Sequence, residues 1–348
     1  MSAPLRIGVL GASRIADAAI VAATRETGDV RASVAARDPD RALRYAADRG
    51  FASAAESYAA LVADDSLDLV YIGLPNALHA EWAVRALAAG RNVLVEKPFA
   101  ANLAEFDGVA AAMERAPGWA WEAFHYADHP ALHRLVDVVR AGGIGELRGV
   151  DVHVDMPAPG ADDPRWSFEL AGGALMDLGC YALHALLLLG DALAGSALPA
   201  LAAPELLSAR ARRWVHDDRV DAEVVAELDL GGVPVRVHTS MVSPEWNFGL
   251  RVSGSLGETV LPNFVKPQEE GRLIVRTTTG AGAEERVEDV GSAASYAYQL
   301  RRVREAVRSG ERSAAGFERS RRTMALIDAV YARAGLPPRP GRLSTSRA

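Results

Sequence analysis

Gly8-Val9-Leu10-Gly11-Ala12-Ser13-Arg14-Ile15-Ala16 joins a short apolar run to a turn of small residues and then to a helical pattern. Gly11, Ser13 and Ala16 fall on the spacing G-x-G-x-x-G/A, with serine in place of the middle glycine. In such a turn the glycine allows a tight bend, the small third residue lets helix pack on strand, and the N–H groups opening the helix face a pyrophosphate. Gly11, Ala12, Ser13, Arg14 and Ile15 are therefore the phosphate-side candidates, and the Ser13 hydroxyl can itself bond a phosphate. The motif alone is equally well an ordinary strand-to-helix turn. Its place at the head of a strand–helix series is what gives it the nucleotide reading.

That series fills the first 125 residues. Apolar runs at Arg6–Leu10, Val30–Ala36, Leu69–Gly73, Asn92–Glu96 and Trp119–Phe124 alternate with helical patterns at Ile15–Glu26, Pro39–Arg49, Ser57–Asp64, Ala80–Ala89 and Ala104–Arg115. Short apolar strands of this kind are covered by helices on both faces, as in a doubly wound parallel α/β sheet. After Pro130 come a helix at Ala131–Ala141, a Gly142–Gly145 turn, a strand at Leu147–Val154 and an apolar helix at Gly173–Leu189. Strands follow at Ser208–His216, Val220–Asp229, Val233–Met241, Asn247–Ser253, Glu258–Leu261 and Leu273–Thr277, then helices at Ser295–Arg308 and Phe317–Ala334. The second half thus reads as an α+β domain with an open, mostly antiparallel sheet. The expected units are 1–125, 126–336 and a loose tail over 337–348.

Of 348 residues, 38 are Lys or Arg and 45 are Asp or Glu, for a net charge of -7 that excludes a basic nucleic-acid binder. Only two of the cations are lysines, Lys97 and Lys266. In a chain that uses arginine wherever a cation merely solvates, a lysine draws notice, because lysine can lose its proton and arginine in practice cannot. The one cysteine, Cys180, supports neither an internal disulfide nor a multi-thiolate metal site, as in a reducing cytoplasm. No basic leader opens the chain, and no uninterrupted apolar run approaches a membrane span. A soluble, cytoplasmic protein without membrane or nucleic-acid partners is expected.

Where the second strand ends, Ala35-Ala36-Arg37-Asp38, a dinucleotide enzyme contacts the ribose. Small Ala36 leaves room and the Arg37 guanidinium suits a 2′-phosphate, favouring NADP over NAD, while Asp38 offers a competing ribose contact. Two later loops, Gly73-Leu74-Pro75-Asn76-Ala77-Leu78-His79 and Val95-Glu96-Lys97-Pro98, leave the carboxyl edge where open α/β sheets bind ligands. Leu74, Pro75, Asn76, His79, Glu96 and Lys97 join the cofactor-side candidates, with Glu96 placed to orient the Lys97 ammonium. On an ideal helix Asp177, Tyr181 and His184 share one face, and Gly173 leaves space beside it. They form either a ligand-facing row or a buried hydrogen-bond network, and for His184 alone the network is the better reading. His125, His129 and His133 have ligand-like spacing, but Pro130 interrupts them, so no metal is expected there or elsewhere. Trp166 either walls a sugar pocket or is a core aromatic.

Glu96-Lys97-Pro98, the Gly11–Ala16 turn, the Leu74–His79 loop and the run Gly172-Gly173-Ala174-Leu175-Met176-Asp177-Leu178-Gly179-Cys180-Tyr181 together resemble the Gfo/Idh/MocA oxidoreductases over nearly the whole chain. The resemblance implies an N-terminal Rossmann domain, NAD(P)-dependent chemistry at CH–OH groups of sugars, polyols and dihydrodiols, and a homo-oligomer formed through the open sheet. It maps the catalytic set onto Lys97, Asp177 and Tyr181, where the tyrosine is similar to the glucose-fructose oxidoreductase and dihydrodiol dehydrogenase branches. Tyr181 is then the proton carrier, eased toward phenolate by Lys97, and Asp177 holds a substrate hydroxyl. His79 is placed to orient Tyr181, to touch substrate or to cap backbone, and His125 is a substrate-contact candidate. An NAD-dependent glycosidase with transient oxidation and a non-catalytic NADP sensor are the alternatives. The substrate itself is not readable from the chain.

Overall fold

The computed structural model describes residues 3–194, 204–279 and 282–343. Six parallel strands form the first sheet: β1 (Arg6–Leu10), β2 (Val30–Ala35), β3 (Ser53–Ala54), β4 (Leu69–Ile72), β5 (Asn92–Val95) and β6 (Ala120–Glu122), in the order β3-β2-β1-β4-β5-β6. The direction of winding reverses between β1 and β4, so a crevice opens outside their carboxyl ends. Helices α1 (Arg14–Ala16), α2 (Ala23–Thr27), α3 (Pro39–Arg49), α4 (Tyr58–Ala63), α5 (His79–Ala88) and α6 (Leu103–Arg115) cover it. A π-helical stretch, Asp17–Ala22, joins α1 to α2 in one helical run. Strand β3 has only two residues and no apolar pattern; pairing with β2 creates it, which is why periodicity does not reveal it.

In the second half, α7 (Pro130–Arg140) precedes β7 (Leu147–Asp155), and a π turn at Leu175–Gly179 leads into α8 (Cys180–Leu193). Strands β8 (Glu205–Trp214), β9 (Asp217–Leu230), β10 (Val233–Ser240), β11 (Leu250–Gly254), β12 (Gly257–Leu261), β13 (Arg272–Thr279) and β14 (Gly282–Asp289) complete an eight-stranded sheet. Its order is β14-β13-β12-β11-β7-β10-β9-β8, antiparallel except for β7 beside β10. Strand β14, Gly-Ala-Glu-Glu-Arg-Val-Glu-Asp, carries no hydrophobic alternation. Cross-strand pairs such as Arg276–Glu285 at 2.7 Å dress this charged edge.

Short α9 (Pro267–Glu270) and the closing helices α10 (Ser295–Ser309) and α11 (Ala314–Arg333) complete the chain. Helix α10 returns to the first sheet, where Arg304 pairs with Asp29 at 3.2 Å and Arg308 with Asp68 at 2.9 Å. One apolar core runs from Val70, Val95 and Phe106 of the first half through Leu183 and Leu186 of α8 to Val152 and Val237 of the second sheet. The stretch Phe168–Leu193 is long and apolar enough to cross a membrane, with mean hydropathy 1.5, which corrects the expectation that no segment is. Within the protein 89% of its most apolar window is buried, so the core accounts for its composition.

The expected loose tail is also corrected. Arg339 is fully buried and pairs with buried Asp221, and its Nε donates to the Gly172 carbonyl at 2.7 Å. Asn102 donates to the Arg339 carbonyl at 2.9 Å, and Glu105 accepts from the backbone of Leu343 at 2.7 Å. A buried guanidinium needs such partners, and they fix the chain through residue 343. The rest of the tail lies outside the described residues.

Candidate active site

A cavity of about 430 Å³ lies outside the carboxyl ends of β1, β4 and β5. One wall is the Ser13–Ile15 turn with the Gly73–Asn76 loop; the other comes from the second half, through Arg165, Asp177, Tyr181, Trp246, Phe248 and Lys266. The turn is built as its sequence requires. Gly11 has φ +108°, and a Cβ there would sit 2.6 Å from the Gly73 carbonyl oxygen, so only glycine lets the two loops pass. Ser13 caps the helix by accepting the Ala16 N–H at 3.4 Å, which leaves its hydroxyl hydrogen free to donate. Ala12 and Ala36 pack on Ala42 behind the turn and, like Gly11, do not line the cavity.

At the end of β2, Asp38 accepts the Asp40 N–H at 3.0 Å and caps α3. Arg37 is exposed beside it. A second guanidinium not anticipated from sequence, Arg41 on α3, donates to the Ala12 carbonyl at 2.6 Å and lies against the same turn.

Lys97 is the centre of the site. Its Nζ donates to the Asp177 backbone carbonyl at 2.6 Å and to Asp177 Oδ1 at 3.1 Å, and it lies 4.9 Å from the centre of the Tyr181 ring. Arg165 Nε donates to the other carboxylate oxygen, Oδ2, at 2.7 Å. Burial opposes the charges on Asp177, yet Lys97 and Arg165 bring its carboxyl down to about 2. Burial likewise opposes the ammonium, but Asp177, Cys180 and Glu96 together outweigh it and the net shift of Lys97 is upward. Both groups therefore stay charged. Each Asp177 oxygen accepts from one cation, so the carboxylate positions Lys97 while it also lines the cavity.

Tyr181 lies between Lys97 and His125, whose Nε2 is 3.3 Å from the phenol oxygen. Burial, with Tyr296 and Glu96 adding to it, holds the Tyr181 phenol well above its ordinary value. The expected easing toward phenolate is thus reversed: Lys97 meets the ring and not the hydroxyl. Burial pushes His125 down to about 3, and its Nδ1 is bound to Ser295 Oγ at 2.8 Å. Glu96 accepts from Tyr71 at 2.7 Å; burial raises it to about 7 despite Lys97.

Residues 5–124 match the sequence profile of an oxidoreductase family with an NAD-binding Rossmann fold, GFO_IDH_MocA, and residues 132–260 match the profile of that family's C-terminal domain. The chain belongs to the Gfo/Idh/MocA family. It is an oxidoreductase built on a Rossmann sheet with a second, mostly antiparallel sheet. Among its relatives, D-xylose 1-dehydrogenase (NADP(+)) 2 of Haloferax volcanii is 33% identical, with 94% of this chain and 96% of that protein covered. The dTDP-3,4-didehydro-2,6-dideoxy-alpha-D-glucose 3-reductase of Streptomyces violaceoruber is 32% identical over 94% of each chain. The crystal structure of KijD10, a 3-ketoreductase from Actinomadura kijaniata with NADP and TDP-benzene, superposes with a TM-score of 0.85 at 29% identity, covering 95% of this chain and 98% of that one.

In this family member three sequence candidates take the structural one of the readings left open for them. His79 is wholly buried, its two ring nitrogens 2.8 Å from the Pro98 carbonyl and 2.7 Å from the Leu74 carbonyl. It clasps the two cavity loops together and does not reach Tyr181; burial pushes it down to about 4. His184 binds the Tyr126 hydroxyl at 2.6 Å, stacks on Phe124 at 3.9 Å and faces a separate cavity behind the site. Trp166 is buried, stacked on Trp214 at 4.9 Å, and is a core aromatic. Gly173 leaves no ligand space, because the Asp221 carboxylate fills it.

Sequence reasoning missed Arg165, Lys266 and Trp246. Lys266 pairs with Glu269 at 3.1 Å on the cavity wall, so both lysines of the chain border the same space. Trp246, 60% exposed, opens its indole face to the same space.

Proposed function

We propose that the chain transfers a hydride reversibly between NADP(H) and the carbinol or keto carbon of a sugar, with Tyr181 as proton carrier and Lys97 as fixed positive charge beside the reacting oxygen. The observation that carries this is the Lys97 ammonium, held on Asp177 at 3.1 Å and 4.9 Å from the Tyr181 ring, in the cavity walled by the Ser13–Ile15 turn.

The residues present fit a dinucleotide. Gly11 keeps the turn open where a Cβ would close it, Ser13 has a hydroxyl hydrogen to give, and Arg37 and Arg41 bring two guanidinium groups to the ribose end. Two cations there suit a 2′-phosphate, which supports NADP over NAD. The Haloferax dehydrogenase carries NADP in its name and the Actinomadura reductase was solved with it. When bound, the nicotinamide supplies or accepts the hydride.

The protein's share is positioning and proton handling. A phenol held above its ordinary value stays protonated at neutral pH, so Tyr181 is ready to donate to the oxygen of a ketone. Neutral His125 holds the phenol oxygen from the far side. Lys97, locked in its charged state, stabilises negative charge growing on that oxygen. Asp177, itself held by Arg165, positions the ammonium. Two further structures of the Actinomadura reductase carry substitutions of a lysine and of a tyrosine, separated in sequence by the same interval as Lys97 and Tyr181.

Sugars as substrates are supported by the Haloferax and Streptomyces relatives, whose names share a change of oxidation level at a sugar carbon. The test is Lys97→Met. It is expected to bind NADPH as the parent does, measured by fluorescence titration, and to lose about 10²–10⁴-fold in turnover. Undiminished turnover would overturn the assignment.

A further inference from the structure

On the second sheet, Val150, Val152 and Val154 of β7 and Val235 and Val237 of β10 are buried against the core that includes α8. The alternation of strand side chains sends His153, Asp155 and His238 to the opposite face. Strands β7 and β10 are parallel neighbours with His153 directly beside His238. Asp155 Oδ1 lies 2.7 Å from His238 Nδ1, and Oδ2 lies 3.5 Å from His153 Nδ1. The Asp155 side chain is 6% exposed, and its Oδ1 and His238 Nδ1 meet at ion-pair distance. Two imidazole nitrogens thus gather around one buried carboxylate.

One donor atom from each residue lies within 4.8 Å of the others. Surrounding charges are already matched: Glu223 of β9 faces Arg212 at 3.5 Å, Arg236 faces Glu227 at 3.9 Å, and Asp151 faces Arg251 at 3.5 Å. The Asp155 charge is left to the two imidazoles. Two imidazole nitrogens and one carboxylate suit a borderline transition ion, whereas Mg²⁺ and Ca²⁺ prefer all-oxygen shells. We propose that His153, Asp155 and His238 bind one divalent transition-metal ion, with zinc as the representative, the remaining position open to water. The half-open rings, 36% exposed for His153 and 22% for His238, give the ion its entry path.

None of the three residues lines the Lys97 cavity, so the metal takes no part in hydride chemistry. Its effect is mechanical. The Asp155 N–H donates to the Asn247 carbonyl at 2.8 Å and the Asn247 N–H returns to Asp155 at 3.1 Å. Asn247 lies between Trp246 and Phe248, and Met156 follows Asp155; Trp246, Phe248 and Met156 all line the cavity. An ion on Asp155 braces that wall from the far side of the sheet.

The experiment is calorimetric titration of the tag-free, chelator-stripped full chain with Zn²⁺ and, separately, Mg²⁺, followed by thermal unfolding with and without zinc. One Zn²⁺ per chain, no Mg²⁺ binding, and at least tenfold weaker zinc binding in His153→Gln and Asp155→Asn are expected, with NADPH affinity unchanged in His153→Gln. His153 is partly exposed, so its variant keeps the test alive should Asp155→Asn fail to fold. Absence of stoichiometric zinc binding, or His153→Gln binding zinc as the parent does, would overturn the proposal.

Discussion

Lys97 illustrates what composition can and cannot say about a residue. Its rarity among 36 arginines marked it, and the fold puts it at the cavity. The same rarity marked Lys266, but its loop between strands has no periodicity to place it, and only folding brings it to the same wall. Arg165 was unreadable for the opposite reason: nothing distinguishes one arginine among so many until Asp177 is seen between it and Lys97. The charge states are set by burial, which sequence does not give. Glu96, raised to about 7 from an ordinary 4.5, contributes stability that is fully present below about pH 4.5 and lost as pH rises through 7. His79 and His125, pushed down to about 4 and about 3 from 6.5, contribute stability that is present above about pH 6.5 and lost as pH falls through those values. The midpoint of urea unfolding should therefore fall on both sides of a slightly acidic optimum. In Glu96→Gln the decline between about pH 6.5 and 7 should become shallower, with Glu122, which burial also raises to about 7, keeping part of it, while the acid decline remains; an alkaline limb of unchanged steepness would show that Glu96 is not a titrating group there.

At the scale of elements, the helix bearing Asp177 and Tyr181 was legible from its apolar run, but its register was not. Ideal helical spacing put Asp177, Tyr181 and His184 on one face. Asp177 and Tyr181 do share the cavity across the π turn at Leu175–Gly179, whereas His184, three residues beyond Tyr181 on α8, faces the other cavity. The turn before the helix is equally specific. A Cβ on Gly172 would run into the Arg165 carbonyl oxygen, and the Gly173 N–H donates to that same carbonyl at 2.9 Å. These glycines thus seat the loop that delivers Arg165 to Asp177. Gly172→Ala is expected to cost about 1–3 kcal/mol of stability through overpacking and to lower kcat more than it raises the KM for NADPH. Gly160, with open space around its Cβ position, is the control: Gly160→Ala should match the parent in both measurements. Parity of Gly172→Ala with that control would refute the packing argument.

Over the whole molecule, the strand–helix alternation of the first half and the strand succession of the second were readable because each strand buries a face of definite period. The exceptions are elements held by something other than apolar pattern: two-residue β3, charged β14, and the tail. Arg339 in that tail joins Asp221, which also accepts the Leu175 N–H at 2.6 Å and the Tyr331 hydroxyl at 3.0 Å, so the C-terminus secures the start of the helix that carries Tyr181. Arg339→Ala leaves a buried carboxylate without its counter-charge and is expected to cost about 3–5 kcal/mol in denaturant unfolding; a loss below about 1 kcal/mol, the ordinary value of an exposed pair, would contradict that reading. The site joins both halves of the chain, and its chemistry is best tested on the intact enzyme. Purified protein should be incubated with NADPH deuterated at C4 and a panel of free and nucleotide-linked keto sugars, and the products analysed by mass spectrometry and NMR. One deuterium on the new carbinol carbon for each NADPH oxidised is the expected result. Sugar release from a glycoside with no net change in the cofactor, or cofactor binding with no label transferred to any member of the panel, would contradict it.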